Sequence, residues 1–372
     1  MKSVNGHEII QLFEEFSPKY LAEEGDKIGL QIGRLNEKIE NVMVTLDVLE
    51  EVVDEAIEKN VNLIIAHHPP LFRSLKAIHT DKGQGRMIEK LIKHDIAVYA
   101  AHTNLDVADG GVNDLLADAL DLKNVEVLIP THTESLKKLV VFVPKTHEDE
   151  MRRALGDAGA GFIGNYSHCS FTTEGTGRFL PQEGTNPFIG EQGKVEKVNE
   201  VRIETIYEQR IEKKVLSKMF KVHPYEEVAY DIYSLNNQGE TMGLGRIGML
   251  SKEMNLKDFA KYLKGKLTVE KVRVVGNMNE TVKRVAVLGG DGNKFISKAK
   301  FSGADVFVTG DLYYHTAHDA MMMDLNVVDA GHHIEKVMKA GVVNHLTERC
   351  KERGYKVNIF TSKVNTDPFT FI

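Results

Sequence analysis

Two adjacent histidines, His67 and His68, close a short apolar run at residues 63–66, and Pro69 and Pro70 follow them. The prolines forbid both further strand pairing and an immediate helix, so the two imidazoles sit where a strand stops. A second run, residues 96–101, ends in His102-Thr103-Asn104-Leu105-Asp106, and a third, residues 325–328, leads through Gly331 to His332 and Glu335. Imidazole ligates zinc, iron and nickel, and carboxylates complete such sites. His67, His68, Asp106, His332 and Glu335 together offer three imidazoles and two carboxylates, enough for two divalent cations if one carboxylate bridges them. Two such ions with open positions generate hydroxide near neutral pH and stabilise an oxyanion, which is sufficient for hydrolysis. His102 has three readings: it orients a ligand, it carries a proton, or it is a packed core histidine.

These side chains need elements to bring them together. Strand, helix and strand at residues 42–46, 49–58 and 62–66 make a βαβ unit with a right-handed crossover. A helix at 85–94 and a strand at 96–101 extend it. Parallel strands end on one side of a sheet, and the ligand crevice lies beyond their carboxyl ends. From about Lys137 the pattern changes to strand 139–143, helix 148–156, strand 165–173, a glycine-rich passage at 174–193, strand 198–206, helix 209–221 and strand 228–233. The order βαββαβ is that of a ferredoxin-like module, closed here by a polar linker at residues 236–239.

The first rhythm then resumes. A shift of 243 places residues 42–46 on 285–289 and residues 62–66 on 305–309, with His67-His68 falling on Gly310-Asp311. His332 and Glu335 stand at the mouth of a helix expected over 334–346, three apart and so able to point one way. The expected fold class is therefore α/β: two related lobes, 1–131 and 240–372, form a discontinuous domain, and a ferredoxin-like α+β domain, 132–239, is inserted between them.

The 372-residue chain carries a net charge of −7 with a pI near 6.1, which weighs against a dense basic face for nucleic acid. No run approaches a membrane span and residues 1–16 read as a helix rather than a signal peptide, so the expected location is the cytoplasm. Only Cys169 and Cys350 are present, too few for a disulfide framework or a cysteine-rich zinc site. Lesser candidates are His315 and His318, at a helix start just past a strand end, and residues 288–292, read as a tight turn. Met321-Met322-Met323 reads as core filling.

The motifs Gly29-Leu30-Gln31-Ile32-Gly33, His67-His68-Pro69, His102 to Asp106, Gly243-Leu244-Gly245-Arg246-Ile247-Gly248 and Gly331-His332 with Glu335 resemble the Nif-three-like dinuclear metal-centre family, often labelled GTP cyclohydrolase 1 type 2 homologues. The middle module is similar to the CutA/PII-like insert of the long bacterial form, with His223-Pro224-Tyr225-Glu226-Glu227 as its mark. The resemblance implies metal ligation by His67, His68, Asp106, His332 and Glu335. Many members separate the last His and Glu by four residues and here it is three, so His333 stands as the alternative to His332. It further implies a dinuclear centre (zinc first, iron or manganese otherwise), a toroidal homohexamer, and a cyclohydrolase-like activity on a small nucleotide-like or phosphorylated substrate. Their own positions, at a strand end and at a helix start past one, make His102 and His315 the candidate catalytic residues. The alternatives are a non-catalytic metal- or ligand-binding regulator with the insert as sensor or docking module, and a ring around nucleic acid.

Overall fold

The computed structural model describes residues 3–372. The chain divides into two compact units, Met1–His132 with Met242–Ile372, and Thr133–Thr241. The long strands Lys123–Pro144 and Tyr230–Asn255 carry it out of the first unit and back.

In the first unit, apolar runs at Asn41–Thr45, Leu63–Ala66 and Ala97–Ala100 form three parallel strands. Every residue of the last two is buried, as helices on both faces of a sheet require. Gly29–Ile32 lies antiparallel on one edge, and Asn358–Thr361 pairs in parallel with Asn41–Thr45 on the other. Just past the edge strand, Gly33 has φ of 81°, and a Cβ there would lie 2.9 Å from the Ala97 Cα. Close approach of two chains therefore fixes that glycine.

A second sheet repeats the plan. Thr281–Asp291, Val306–Gly310 and Asn326–Asp329 are parallel, with Arg273–Val275 antiparallel at the edge. The shift of 243 carries even the register across, since Val42 pairs with Leu63 and Val285 with Val306. Helices Gly6–Phe16, Val112–Ala119, Leu256–Leu267 and Met338–Glu352 lie between the sheets. Their Phe13, Leu116, Phe259 and Val342 join Val44, Ile65, Val285 and Val308 in one continuous core. Alternate strand residues face outward, where Glu50–Glu58 and Gly83–Lys93 cover Met43, Ile64 and Val98. On the other side Ile296–Phe301 and Tyr314–Met322 cover Ala286, Phe307 and Val327.

Arg246 ties the two lobes together. Its Nη2 donates to Asp114 Oδ2 at 2.6 Å and its Nε to Oδ1, while Nη1 donates to the carbonyls of Gly243 at 2.8 Å and Gly245 at 2.9 Å. The guanidinium is buried, and Asp114 stands on the helix Val112–Ala119 of the first lobe.

In the second unit, helices Glu148–Asp157 and Glu212–Val222 pack on strands in the order Phe171–Phe179, Glu196–Glu208, Lys123–Pro144, Tyr230–Asn255. That is the ferredoxin-like arrangement, with the first strand between the third and fourth.

Several local expectations are corrected. The strand expected at 165–173 starts at Phe171 and runs to Phe179, into the glycine-rich passage. Residues 236–239 are no linker, because they lie inside the strand Tyr230–Asn255. A Cβ on Gly239 would come 2.8 Å from the Glu134 carbonyl oxygen, so this glycine serves strand packing. Met321 and Met322 are 57% and 75% exposed rather than core, because their helix packs through Ala317 and Ala320 on its other face. His332–Val337 is a 3₁₀ turn, and the α-helix begins only at Met338.

Candidate metal centre

The three imidazoles share one construction. His67 Nδ1 donates to the Ala101 carbonyl at 2.8 Å, His68 Nδ1 to Asp47 Oδ1 at 2.7 Å, and His332 Nδ1 to Asp311 Oδ2 at 2.6 Å. An Nδ1–H committed to an acceptor leaves Nε2 as the inward-facing atom, the arrangement that orients metal-binding histidines. All three Nε2 atoms surround a single carboxylate oxygen: Glu335 Oε2 lies 3.7 Å from His67, 3.1 Å from His68 and 3.2 Å from His332. Asp106 Oδ1 lies 3.6 Å from His67 Nε2.

The local sequence explains the convergence. His67 and His68 continue the strand ladder for two residues, donating to the carbonyls of Thr45 and Leu46. Asp106 projects from the one-turn helix Thr103–Val107 that opens directly at the strand end. His332 and Glu335 lie three apart on a 3₁₀ turn, where such residues eclipse one another more closely than in an α-helix. Gly290, with φ of 68°, makes room for them, since a Cβ there would sit 2.7 Å from Glu335 Oε1 and 3.4 Å from His332 Nε2.

Chemically, two donors of the cluster are left unmet by the protein. His67 Nε2 and Asp106 Oδ1 are buried and have no hydrogen-bond partner among the described residues. Imidazole lone pairs and carboxylate oxygens facing each other repel unless a proton or a cation lies between them. The donors form overlapping groups that suit a metal ion: His67, Asp106 and Glu335; His68, His332 and Glu335; and His67, His68 and His102. Glu335 is common to the first two.

Without metal, protons fill that role. Burial opposes a charged ring at His68, but Asp47 and Glu335 outweigh it and lift the pKa to about 9. At His332 burial is likewise overcome, by Glu335 and then Asp311, and the pKa rises to about 10. Burial would raise Glu335, yet the three imidazoles hold it well below the usual carboxylate range. Asp106 is lifted by burial to about 6, with His67 opposing. Raised histidine values mean that the folded chain keeps protons the unfolded chain releases above its ordinary value of 6.5. The stability that these two rings give chelator-treated protein is therefore expected to be full below pH 6.5 and to be lost as pH rises towards 9–10, with Tm dropping by about 5 °C or more. Metal-loaded protein, with cations in place of protons, should hold its Tm across that window. Thermal melts of both forms between pH 6 and 10 check this, and parallel profiles would count against it.

The other sequence candidates divide. His102 stands beside the cluster, its ring centroid 5.3 Å from that of His67 and 5.7 Å from that of His68, with Nδ1 bonded to Asp26 Oδ1 at 2.9 Å. His333 turns away, its Nδ1 3.8 Å from Asp367 Oδ2. His315 and His318 are exposed and lie against Tyr314, and neither belongs to the groups around Glu335. Sequence reasoning missed Asp26, Asp47 and Asp311, the acceptors that fix His102, His68 and His332. It also missed Asn113, which donates to the Asp106 carbonyl at 2.9 Å and accepts from Gly289 N at 3.0 Å. One signal was available: Asp311 occupies the place that the 243-residue shift assigns to His68.

A cleft of about 1330 Å³ opens from His68 and His332, bounded by residues 268–273 and 364–371. No helix among the described residues is long and apolar enough to cross a membrane.

Comparison with known proteins agrees with this architecture. Residues 4–368 match the family model described as Duf34/NIF3 (NGG1p interacting factor 3). The chain is 64% identical over 371 residues, all of both chains, to a Bacillus subtilis (strain 168) protein named GTP cyclohydrolase 1 type 2 homolog. Among solved structures it is similar to a Bacillus cereus protein related to NIF3, with a TM-score of 0.96, 61% identity and full coverage of both chains. Staphylococcus aureus protein SA1388 matches with a TM-score of 0.78 and 34% identity, again over both whole chains. The chain belongs to the Duf34/NIF3 family.

Proposed function

We propose that this protein is a metal-dependent hydrolase of small nucleotide-like or phosphorylated molecules, and that His67, His68, Asp106, His332 and Glu335 hold two divalent cations, zinc first and iron or manganese otherwise. The observation that carries this reading is the single Glu335 oxygen within 3.7 Å of three Nε2 atoms from both lobes, beside the unpartnered His67 Nε2 and Asp106 Oδ1. Bound cations would supply Lewis acidity, lowering the pKa of water and polarising the group under attack. The name of the Bacillus subtilis relative supports a cyclohydrolase-like step.

The chain's own residues supply the proton handling. His102 keeps Nδ1 on Asp26, whose carboxyl is held well below its usual range because hydrogen bonds from His102 and Thr103 outweigh its burial. That leaves His102 Nε2 free to accept a proton and release it to a leaving group, a role worth about 10²–10⁴-fold in rate. His102→Ala is therefore expected to slow turnover by about 10²-fold or more while both metals stay bound. A screen of nucleotides, phosphate esters and cyclic amides with zinc-loaded protein tests the whole reading. Turnover no greater than that of chelated protein would replace it with the second reading, a non-catalytic regulator. That reading is favoured by the separate unit Thr133–Thr241, which holds none of the cluster residues. The proposal also includes the toroidal homohexamer that the family resemblance implies, for which light scattering should give six times 41.7 kDa.

A further inference from the structure

The carboxylate that orients His68 is itself held from the far end of the chain. Asp47 Oδ1 accepts from His68 Nδ1 at 2.7 Å, and its Oδ2 accepts from the buried Thr366 Oγ1 at 2.5 Å. The parallel pairing of Asn358–Thr361 with Asn41–Thr45 explains the meeting, because both strands end on the same side of the sheet and their continuations carry Asp47 and Thr366. The path to Thr366 is fixed at Ser362, which is buried. Its N–H donates to the Val44 carbonyl at 2.8 Å, its Oγ to Glu55 Oε2 at 2.5 Å, and its carbonyl accepts from Lys339 Nζ at 3.2 Å. Lys363 N donates to Glu55 Oε1 at 3.0 Å, and Val364 packs against the outer core that contains Met43. On the other flank, the buried Thr45 Oγ1 donates to the Asp47 carbonyl at 2.9 Å.

The terminal torsion of an aspartate is broad, so its carboxylate turns unless the second oxygen is also held. Thr366 supplies that hold, and its own branched side chain is stiff. His67 has no such dependence, because its Nδ1 uses the Ala101 backbone carbonyl, which the strand already fixes. We infer that Thr366 is a positioning residue: it holds Asp47, and through Asp47 the His68 imidazole. The cation position of His68, His332 and Glu335 therefore depends on the segment 362–366, and that of His67, Asp106 and Glu335 does not. The inference rests on the proposed metal centre and adds to it that its two positions are unequal, one of them being completed by a segment that supplies no ligand.

Zinc titration of the full chain against a coloured chelator tests it. Thr366→Val keeps the shape of the side chain and removes its hydroxyl, and should weaken one of two zinc equivalents by about tenfold, the lower end of what an outer hydrogen-bond partner is worth. The other equivalent should keep its affinity, and Thr366→Ser should bind both as the parent does. Introduced into Asp47→Ala, Thr366→Val should have no further effect, since the group through which it acts is gone. Two equivalents of parent affinity in Thr366→Val, an equal loss from both, or a further loss in the Asp47→Ala background would each overturn the inference. Crystal structures of metal-free parent and Thr366→Val separate this from the metal reading. The 2.7 Å contact of His68 Nδ1 with Asp47 Oδ1 should persist in the parent and open in the variant. A variant that keeps the contact overturns the inference. A parent that takes up no zinc while its variant loses the contact removes the metal centre and supports the positioning of His68 by Thr366.

Discussion

Glu335→Gln is expected to empty both proposed metal positions at once, leaving less than about a tenth of the metal of the parent protein after dialysis. Its Oε2 lies near the Nε2 atoms of His67, His68 and His332 together, at 3.7, 3.1 and 3.2 Å. The amide keeps shape and volume but removes the negative charge, and its N–H₂ end can only donate. Both overlapping donor groups that contain Glu335 then fall to two ligands. Asp106→Ala should act on one group alone, since Asp106 belongs only to that of His67. Asp47→Asn should weaken the His68 position by about 10–100-fold without emptying it, because only the acceptor that orients the ring is altered. Elemental analysis of the three variants decides the matter, and a Glu335→Gln protein with full metal would rule out a shared carboxylate.

Arg246→Ala should be the most destabilising single change away from the metal centre. The guanidinium is only 4% exposed and makes four hydrogen bonds, two of them to Asp114. Removing it strands a largely buried carboxylate and two carbonyls, a loss of about 3–5 kcal/mol, or a Tm lowered by roughly 10 °C. Arg246→Lys should recover little, since an ammonium cannot span both carboxylate oxygens and two carbonyls from one plane. The measurement is a thermal or urea melt of metal-loaded protein. A Tm within about 2 °C of the parent would mean that the ion pair contributes nothing net.

How much of this was legible in the sequence depended on the range of the interaction. The buried strands announced themselves through uninterrupted Val, Ile, Leu and Ala runs, and the His-His-Pro-Pro sequence marked a strand end by backbone chemistry alone. The shift of 243 foresaw the second lobe because strand spacing is kept even where side chains are not. Asp47 and Asp311 were invisible as orienting groups, because an acidic residue in a loop looks the same whether it faces solvent or an imidazole Nδ1. Local pattern also failed at residues 236–239. Their polarity suggested a linker, but a neighbouring strand satisfied the backbone and made them part of a sheet. The strand Asn358–Thr361 had no local sign that it would pair with residues more than three hundred positions earlier.

That last pairing bears on how the protein is made. Glu335 follows His68 by 267 residues, and the strand that completes the first sheet comes later still. A chain emerging from the ribosome presents His67 and His68 long before the shared carboxylate exists, and it keeps the edge of Asn41–Thr45 open until residues 358–361 arrive. The unit Thr133–Thr241 is synthesised in the interval. Any metal loading at the proposed centre is consequently a late event, and a chain that stops short of residue 358 carries an exposed strand edge at Asn41–Thr45.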